Sequence, residues 1–547
     1  MTNNMESVSQ ELNALKEIEN VLRTPPTTIE PLRQLIDELN PIVIRSAQDV
    51  DYQTLLASSL DVWKQLRDII ASCNFDEALA HDDEYQFWYM RSTRGVMLLI
   101  RNIAVANHEL PQQVLIQNSI IRMFNDLSLH ASNPNDMESA LFVATLTALH
   151  NLTKVSVIFD KTMIDSLVTL LEYPIHNKLT NLEVCFPYLL LFENLLQNDE
   201  FLYYLFRHES KNRILFEYII EQITKNNSHI FEYLEHTKEG SPEISSASNN
   251  DEPSKENEMT EIDLAIIRCF RNIISHESFT PYLVELQINS PSIFFKYLKV
   301  SQIITTSIEN WDKYELTGIM TWCFNIFEKA ASDTIEYFST NEDNILIAEP
   351  LHQSLTITLD IMSSLSRYEH VQKYINSYDG LSKLITLLGT LQTNLIRINF
   401  LKDAGGSVKN CKVSDSMGNK VVDQAKIDSR VDYATFHIMA TNFPECKLLI
   451  IETLGNMCYK KRDIQDQTRT LHGLELVLSN CVIDDNDPFI KERSIVCVKF
   501  LLEGNDENQK FVASMETKKA VDDETLSQAG YEVDIGKDGA VKLQPKK

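Results

Sequence analysis

One asparagine-centred pattern recurs along this chain and limits what it can fold into. With the asparagine as position zero, apolar residues stand at −5, −2 and +1. Met97, Ile100, Asn102 and Ile103 fit, as do Leu146, Leu149, Asn151 and Leu152, and Leu189, Phe192, Asn194 and Leu195. Later copies are Ile267, Phe270, Asn272 and Ile273; Met320, Cys323, Asn325 and Ile326; and Ile451, Leu454, Asn456 and Met457. Two further copies replace the asparagine with Ser364 and Phe500. Spacing by three puts the apolar residues on one helical face and the slot on its flank. Successive slots lie 49, 43, 78, 53, 39, 92 and 44 residues apart. A period in the low forties is that of armadillo or HEAT repeats.

The segments C-terminal to the slots support this reading. A second amphipathic helix starts after a polar connector at residues 164–171 (IDSLVTLL), 380–388 (GLSKLITLL) and 473–479 (GLELVLS). Gly380 and Gly473 stand at the corner before it, where a sharp turn favours glycine. No such unit buries its apolar face alone, so neighbours must stack. The fold class expected is all-α: an armadillo/HEAT-like α-solenoid, closed by a small C-terminal β-hairpin. That hairpin is read from the alternation in residues 531–535 and 540–543 around Gly536-Lys537-Asp538-Gly539.

The expected organisation is an N-terminal helical cap at 1–80 and repeats at 81–236 and 262–401. Between them, residues 237–261 hold seven acids, two lysines and almost no apolar residues, so a disordered loop is expected. Ser241, before Pro242, and Ser248, ahead of Asp251 and Glu252, resemble kinase sites. Residues 402–430, with Gly405-Gly406, read as a polar insertion, and 431–547 as a C-terminal domain.

Composition narrows function. Lys and Arg number 50 against 78 Asp and Glu, a net charge of −28, which argues against nucleic acid as a partner. The apolar runs at 95–100 and 188–192 are far short of the about 18 residues that span a bilayer, so no membrane insertion is expected. Nine cysteines without close pairing fit a reducing compartment, and the polar N-terminus is no secretory signal, so the location expected is cytoplasmic.

Catalytic motifs are missing. After His108-Glu109, His208-Glu209 and His276-Glu277, the place of a second zinc-binding histidine holds Gln112, Asn212 and Thr280. The chain has no Cys-x-x-Cys, Gly-x-Ser-x-Gly, Gly-x-x-x-x-Gly-Lys or Gly-x-Gly-x-x-Gly. Its 14 methionines and nine cysteines show no Met-x-Met or Cys-x-Cys of the kind soft-metal sites use. The expectation is a protein that is not an enzyme, with no cofactor and no metal.

Two clusters remain as binding candidates. Tyr85, Phe87, Trp88 and Tyr89, next to Arg91 and Arg94, would suit a binding hot spot, although core packing of a first repeat is the commoner use. The ladder Asn102, Asn151, Asn194, Asn272 and Asn456 has two open readings. It is either a partner groove whose amides grip an extended peptide, or a brace hydrogen-bonded to the neighbouring repeat. Trp63, Trp88, Trp311 and Trp322 do not stand one turn from these asparagines, unlike the pairs of nuclear-localisation-peptide adaptors.

Residues 484–512, DDNDPFIKERSIVCVKFLLEGNDENQKFV, carry the sharpest local signal. Asp487 reads as an N-cap, with Pro488 at the first helical position and Gly504-Asn505 ending the helix near Glu503. The stretch resembles the C-terminal domain of the ataxin-10 family, in which an Asn/Asp-Pro-Phe start leads to a Glu-x-Asn-x-Glu-Asn-Gln turn. Gly504, Asn505, Glu507, Asn508 and Gln509 match that turn, and Gly-Tyr-Glu-Val-Asp at 530–534 looks like the family's ending. The strong match covers about the last hundred residues, with 97–113 the clearest earlier stretch; Phe500 departs from the usual asparagine. The resemblance implies a cytoplasmic armadillo-type solenoid without catalytic residues, acting as an interaction scaffold that regulates cytokinesis. The rival readings are a cargo or client-peptide adaptor and, less favoured, a metal-handling protein. Oligomeric state is not legible.

Overall fold

Short polar side chains start most helices here, because the first N–H groups of a helix have no partner within it. Asp49, Ser59, Asn74 and Asp82 each accept from a backbone N–H in the first turn of the helix they precede, and Thr260 with Asp263 forms a capping box. Thr260 and Glu261, at the end of the acidic stretch, thus already belong to a helix start. The computed structural model describes residues 2–106, 111–128, 136–154, 161–176, 182–207, 215, 260–340, 343–402, 408–515, 531–535 and 541–545. Ser241, Ser248 and residues 237–259 lie outside the described residues. The chain forms two compact units, Met1–Tyr282 and Leu283–Lys547.

In the first unit the helices are α1 (Thr2–Arg23), α2 (Glu30–Gln48), α3 (Val50–Ala57), α4 (Leu60–Ser72), α5 (Phe75–Ala78) and α6 (Asp83–Ala104). They continue with α7 (Pro111–Ser128), α8 (Asp136–Thr153), α9 (Lys161–His176), α10 (Leu182–Leu196), α11 (Asp199–Arg207) and α12 (Glu261–Ser275). Two rows result: α2, α6, α8, α10 and α12 pack each on the next, and α1, α4, α7 and α9 form the second row. The apolar stripe of each slot helix is what the stacking covers. Met97, Ile100, Leu146, Leu149, Leu189, Phe192 and Phe270 are all buried. This is the expected α-solenoid arrangement.

The unit boundary falls within α13 (Phe279–Asn289). The second unit holds α14 (Pro291–Ser307), α15 (Lys313–Ser339), α16 (Ile345–Leu365), α17 (Glu369–Ser377) and α18 (Gly380–Asn394). After an irregular segment come α19 (Gln424–Asp428), α20 (Cys446–Cys458), α21 (Arg462–Thr470), α22 (Gly473–Ser479), α23 (Ile490–Leu502) and α24 (Asp506–Ser514). The slot helices α15, α16, α20 and α23 stack in that order, with α18 and α22 packed together behind them. At the two glycine corners it is the preceding residue that turns: Asp379 and His472 have φ of 57° and 62°. The glycines serve close approach instead. A Cβ on Gly380 would lie 2.6 Å from Ile375 Cγ2, and one on Gly473 2.8 Å from Thr468 Cγ2.

Strands begin well before the tail. β1 (Arg397–Lys402) and β2 (Val408–Ser414) pair antiparallel, and β3 (Val431–Asp432) pairs with β4 (His437–Ile438). Val413 and Ile427, within the expected polar insertion at 402–430, therefore share a small core with Ile396, Ile398 and Val431 on either side of it. Its apolar residues alternate along the strands, so one sheet face is covered and the other is wet. The expected tail hairpin pairs β5 (Tyr531–Ile535) with β6 (Val541–Pro545), placing Tyr531 opposite Pro545 and Ile535 opposite Val541.

Asp487 is not the N-cap of the helix C-terminal to it. That helix starts at Ile490, after Phe489 in the left-handed region at φ 66°. The Asp487 carboxylate turns back to cap α20 instead, accepting from Leu448 N at 3.1 Å, and its other oxygen lies 3.2 Å from Lys447 Nζ. Lys447 also reaches Asp484 at 2.8 Å, and all three residues are buried. Asp484 accepts from Ile398 N, Asp485 accepts from Phe400 N, and Asp485 N donates to Ile398 O, which pins β1 in place. Asn442 links Ile396 to Asn486, and Arg430 donates to Asn442 Oδ1 and bidentately to Asp343.

Burial works against the Lys447 ammonium, yet the carboxylates of Asp487 and Asp484 outweigh it and raise its pKa. Burial also pushes the Asp487 carboxyl up, with Lys447 pulling the other way. Every partner of the Asp487 oxygens is a donor, which is the environment of a carboxylate, so the cluster is one ammonium between two anions. Removing one member of such a buried set typically costs about 3–5 kcal/mol. Lys447→Ala is expected to lose that much in denaturant unfolding. A loss under about 1 kcal/mol would show that the two carboxylates do not need their cation.

Candidate partner surface

The ladder asparagines use their side-chain N–H groups in one repeated way. Asn102 Nδ2 donates to Val43 O at 3.1 Å and Ser46 Oγ at 3.0 Å. Asn194 Nδ2 donates to His150 O at 2.9 Å and Thr153 Oγ1 at 3.1 Å. Asn456 Nδ2 donates to Ser363 O at 3.3 Å and Ser366 Oγ at 2.8 Å. Asn151 Nδ2 donates to Arg101 O at 3.0 Å. In slot numbering, with Ile44 of α2 standing where the slot of the first repeat would be, each reaches the carbonyl at −1 of the preceding repeat and, where one exists, a hydroxyl at +2. The hydroxyl in turn donates to the same carbonyl, as Ser46 does to Val43 O and Thr153 to His150 O.

A second set of amides reaches the opposite way, and sequence reasoning missed it. Gln53 Nε2 donates to Asn102 O at 2.7 Å, Gln372 Nε2 to Asn456 O at 3.1 Å and Gln465 Nε2 to Phe500 O at 2.8 Å. Each acceptor is the slot residue of the next repeat. A signal existed in the spacing, since Gln372 and Gln465 stand eight and nine residues after slots Ser364 and Asn456.

The side-chain oxygens differ from the N–H groups. Asn102 Oδ1 accepts from Arg101 Nε and Nη2 at 3.1 and 2.9 Å. Those of Asn151, Asn194 and Asn456 accept no hydrogen bond among the described residues. Asn272 is half-buried and its side chain has no hydrogen-bond partner among them, and Asn325 is exposed. Burial and the Lys154 charge push the His150 imidazole beside Asn194 down, which favours its neutral form.

Around this constant frame the exposed side chains vary. Positions −1 and −4 are half-buried on four successive helices of the first row, as Arg101 and Leu98, His150 and Thr147, Glu193 and Leu190, and Arg271 and Arg268. The aromatic cluster divides between the two roles weighed for it. Tyr85 and Tyr89 are core, whereas Phe87 is 38% exposed and Trp88 lies between the guanidinium groups of Arg33 and Arg91, 5.0 and 5.4 Å from its ring centre. Trp63 and Trp322 are core residues as well.

Among the described residues no group of three His, Cys, Asp or Glu side chains is placed to hold a metal ion. The cysteines are free, and burial pushes the thiols of Cys73 and Cys458 up to about 12, far from a reactive thiolate. No helix of the described residues is long and apolar enough to cross a membrane.

Paired helices stacked in rows and braced at a recurrent amide define a helical-repeat protein of the armadillo/HEAT type. Residues 446–544 match the family model described as the spinocerebellar ataxia type 10 protein domain. The ataxin-10 homolog of Candida glabrata is 40% identical over 540 residues, covering 98% of this chain and 99% of that protein. That of Saccharomyces cerevisiae is 38% identical, covering 99% and 97%. The chain belongs to the ataxin-10 family. Ataxin-10 of Xenopus tropicalis matches at 36% over 98 residues, 18% of this chain and 20% of that protein.

Truncating a braced asparagine leaves a helix-end carbonyl without its donor, at about 1–3 kcal/mol. Asn151→Ala and Asn194→Ala are each expected to lower stability by that amount in thermal or urea unfolding. Asn325→Ala, at an exposed side chain, should stay within about 0.5 kcal/mol. Equal, small effects at all three positions would remove the brace as a source of stability.

Proposed function

We propose that this chain is a non-catalytic scaffold that binds protein partners through its helical-repeat surface and regulates cytokinesis from the cytoplasm. The observation that carries the binding part is the division of labour along the first row. The amides of Asn102, Asn151 and Asn194 hold α2, α6, α8 and α10 in register, while positions −1 and −4 present a different side chain on each helix. A constant frame with a variable, half-exposed face is what recognition of an extended partner requires. The cytokinesis part rests on the ataxin-10 family resemblance.

The ladder Asn102, Asn151, Asn194, Asn272 and Asn456 remains the proposed partner groove, in a form restricted by its hydrogen bonds. The N–H groups that brace the repeats are not free to grip a peptide. The oxygens of Asn151, Asn194 and Asn456 accept nothing among the described residues and suit a peptide N–H. This favours, as the second reading, an adaptor that holds client peptides. The two readings separate on the partners recovered. Affinity purification of the full chain from dividing cells is expected to enrich components of the division ring or septum over an interphase control. A broad client set, unchanged between the two, would favour the adaptor.

A further inference from the structure

The positive charge on α6 is left uncompensated in a chain that has acids to spare. Arg91, Arg94 and Arg101 stand at −11, −8 and −1 from the slot. At about 100° per residue they fall on one helical face, along roughly 15 Å of helix. None has a carboxylate partner among the described residues. Arg91 lies over Trp88, Arg94 makes no hydrogen bond among those residues and its Nε is buried, and Arg101 donates only to Asn102 Oδ1. Several other arginines of the same unit are paired, as Arg33 with Glu84, Arg45 with Asp49, Arg67 with Asp68 and Arg268 with Glu193, and Arg122 and Arg207, without a carboxylate partner among the described residues, stand singly on α7 and α11. With 78 acidic residues against 50 basic ones, three neighbouring unpaired arginines run against the composition.

The fold also holds the strip in place. Asn102 fixes the Arg101 guanidinium through two hydrogen bonds, while Asn151 binds the Arg101 carbonyl from the next helix. Burial and the repulsion of Arg94 both push the Arg101 pKa down, a stress that an incoming anion would relieve. A buried guanidinium nitrogen without an acceptor is costly unless something supplies one.

We propose that Arg91, Arg94 and Arg101, with Trp88 at one end, dock an extended carboxylate-rich segment of a protein partner. An extended chain advances about 3.3 Å per residue, so about five residues span the strip. Carboxylates pair with guanidinium groups in bidentate geometry. A nucleic acid fits less well. The track does not continue on α8, where positions −11, −8 and −1 are Ala140, Val143 and His150, or on α10, where they are Glu183, Phe186 and Glu193, so the long, evenly charged backbone of a nucleic acid finds no further cations beyond the strip. The proposal rests on the scaffold reading and gives its partner a chemistry.

The test is fluorescence anisotropy on the full chain with a labelled ten-residue peptide of alternating Glu and Ser, beside the same peptide with Gln for Glu and an oligonucleotide of equal charge. The expected result is binding of the Glu peptide that weakens as salt rises, at least tenfold tighter than the Gln peptide. Arg91→Gln combined with Arg94→Gln should weaken it at least tenfold with an unchanged melting temperature, while Arg67→Gln, on α4 of the second row, leaves it unchanged. Equal binding of the Glu and Gln peptides, or no effect of the double variant, overturns the inference. Tighter binding of the oligonucleotide overturns it in favour of nucleic acid. If the double variant melts early, Arg101→Gln, which keeps the Asn102 brace, takes its place under the same criteria. Loss of this inference with retained capture of division components would leave the scaffold reading standing, so the two failures are distinguishable.

Discussion

A side-chain amide that donates to the last-turn carbonyl of the preceding helix is the interaction on which this architecture depends. The final four carbonyls of any helix have no partner within it. In a surface helix water satisfies them, but between stacked repeats water is excluded and a donor must come from the protein. Asparagine at the slot supplies it from one side and glutamine from the other. Arg101, His150 and Ser363 are satisfied from the following repeat, and Asn102, Asn456 and Phe500 from the preceding one. The apolar stripe makes the helices adhere. The amides set which turn lies against which.

The second unit adds an electrostatic clasp to this scheme. Lys447 and its two carboxylates lie within residues 446–544, where the family model matches, yet the polar set they belong to extends further back. Asp343, Ile396, Ile398, Arg430 and Asn442 complete it. The segment between α18 and α20 is therefore part of the C-terminal structure, held by a chain of paired buried groups from Arg430 to Lys447. Such a set is costly to desolvate and tolerates no missing member. Its geometry fixes one arrangement of β1, α20 and α23 among those that apolar packing alone would permit.

The periodic features were the legible ones. Slot and stripe told which helices stack and which face is buried, because a period of three or four residues repeated near every forty has few other solutions. The tail hairpin was legible from its alternation. The direction of each slot hydrogen bond was not, since Asn151 offers both a donor and an acceptor and local sequence does not say which side is used. Asp487 shows the same limit more sharply. Asp-Pro before an apolar run is a sound helix-start signature, but the carboxylate caps α20, whose first turn lies some forty residues earlier in the chain. The β1–β2 pair escaped because polar residues dominate 397–414, and only Ile398, Phe400, Cys411 and Val413 carry the period of two. The arginine strip is visible as three residue types in the sequence, but that its members lack partners is a property of the folded chain.

The direction of the asparagine bonds bears on how the chain comes off the ribosome. Asn102, Asn151, Asn194 and Asn456 each donate to a residue nearer the N-terminus. The acceptor has therefore already been synthesised when the asparagine emerges, and a nascent repeat finds its template waiting. Structure of this kind can be laid down vectorially, one repeat at a time, at the pace of translation. The clasp of the second unit has the reverse order. Ile398, Asn442 and Lys447 must wait for residues 484–487, about forty to ninety residues further along, so that stretch stays unpaired while the intervening helices are made.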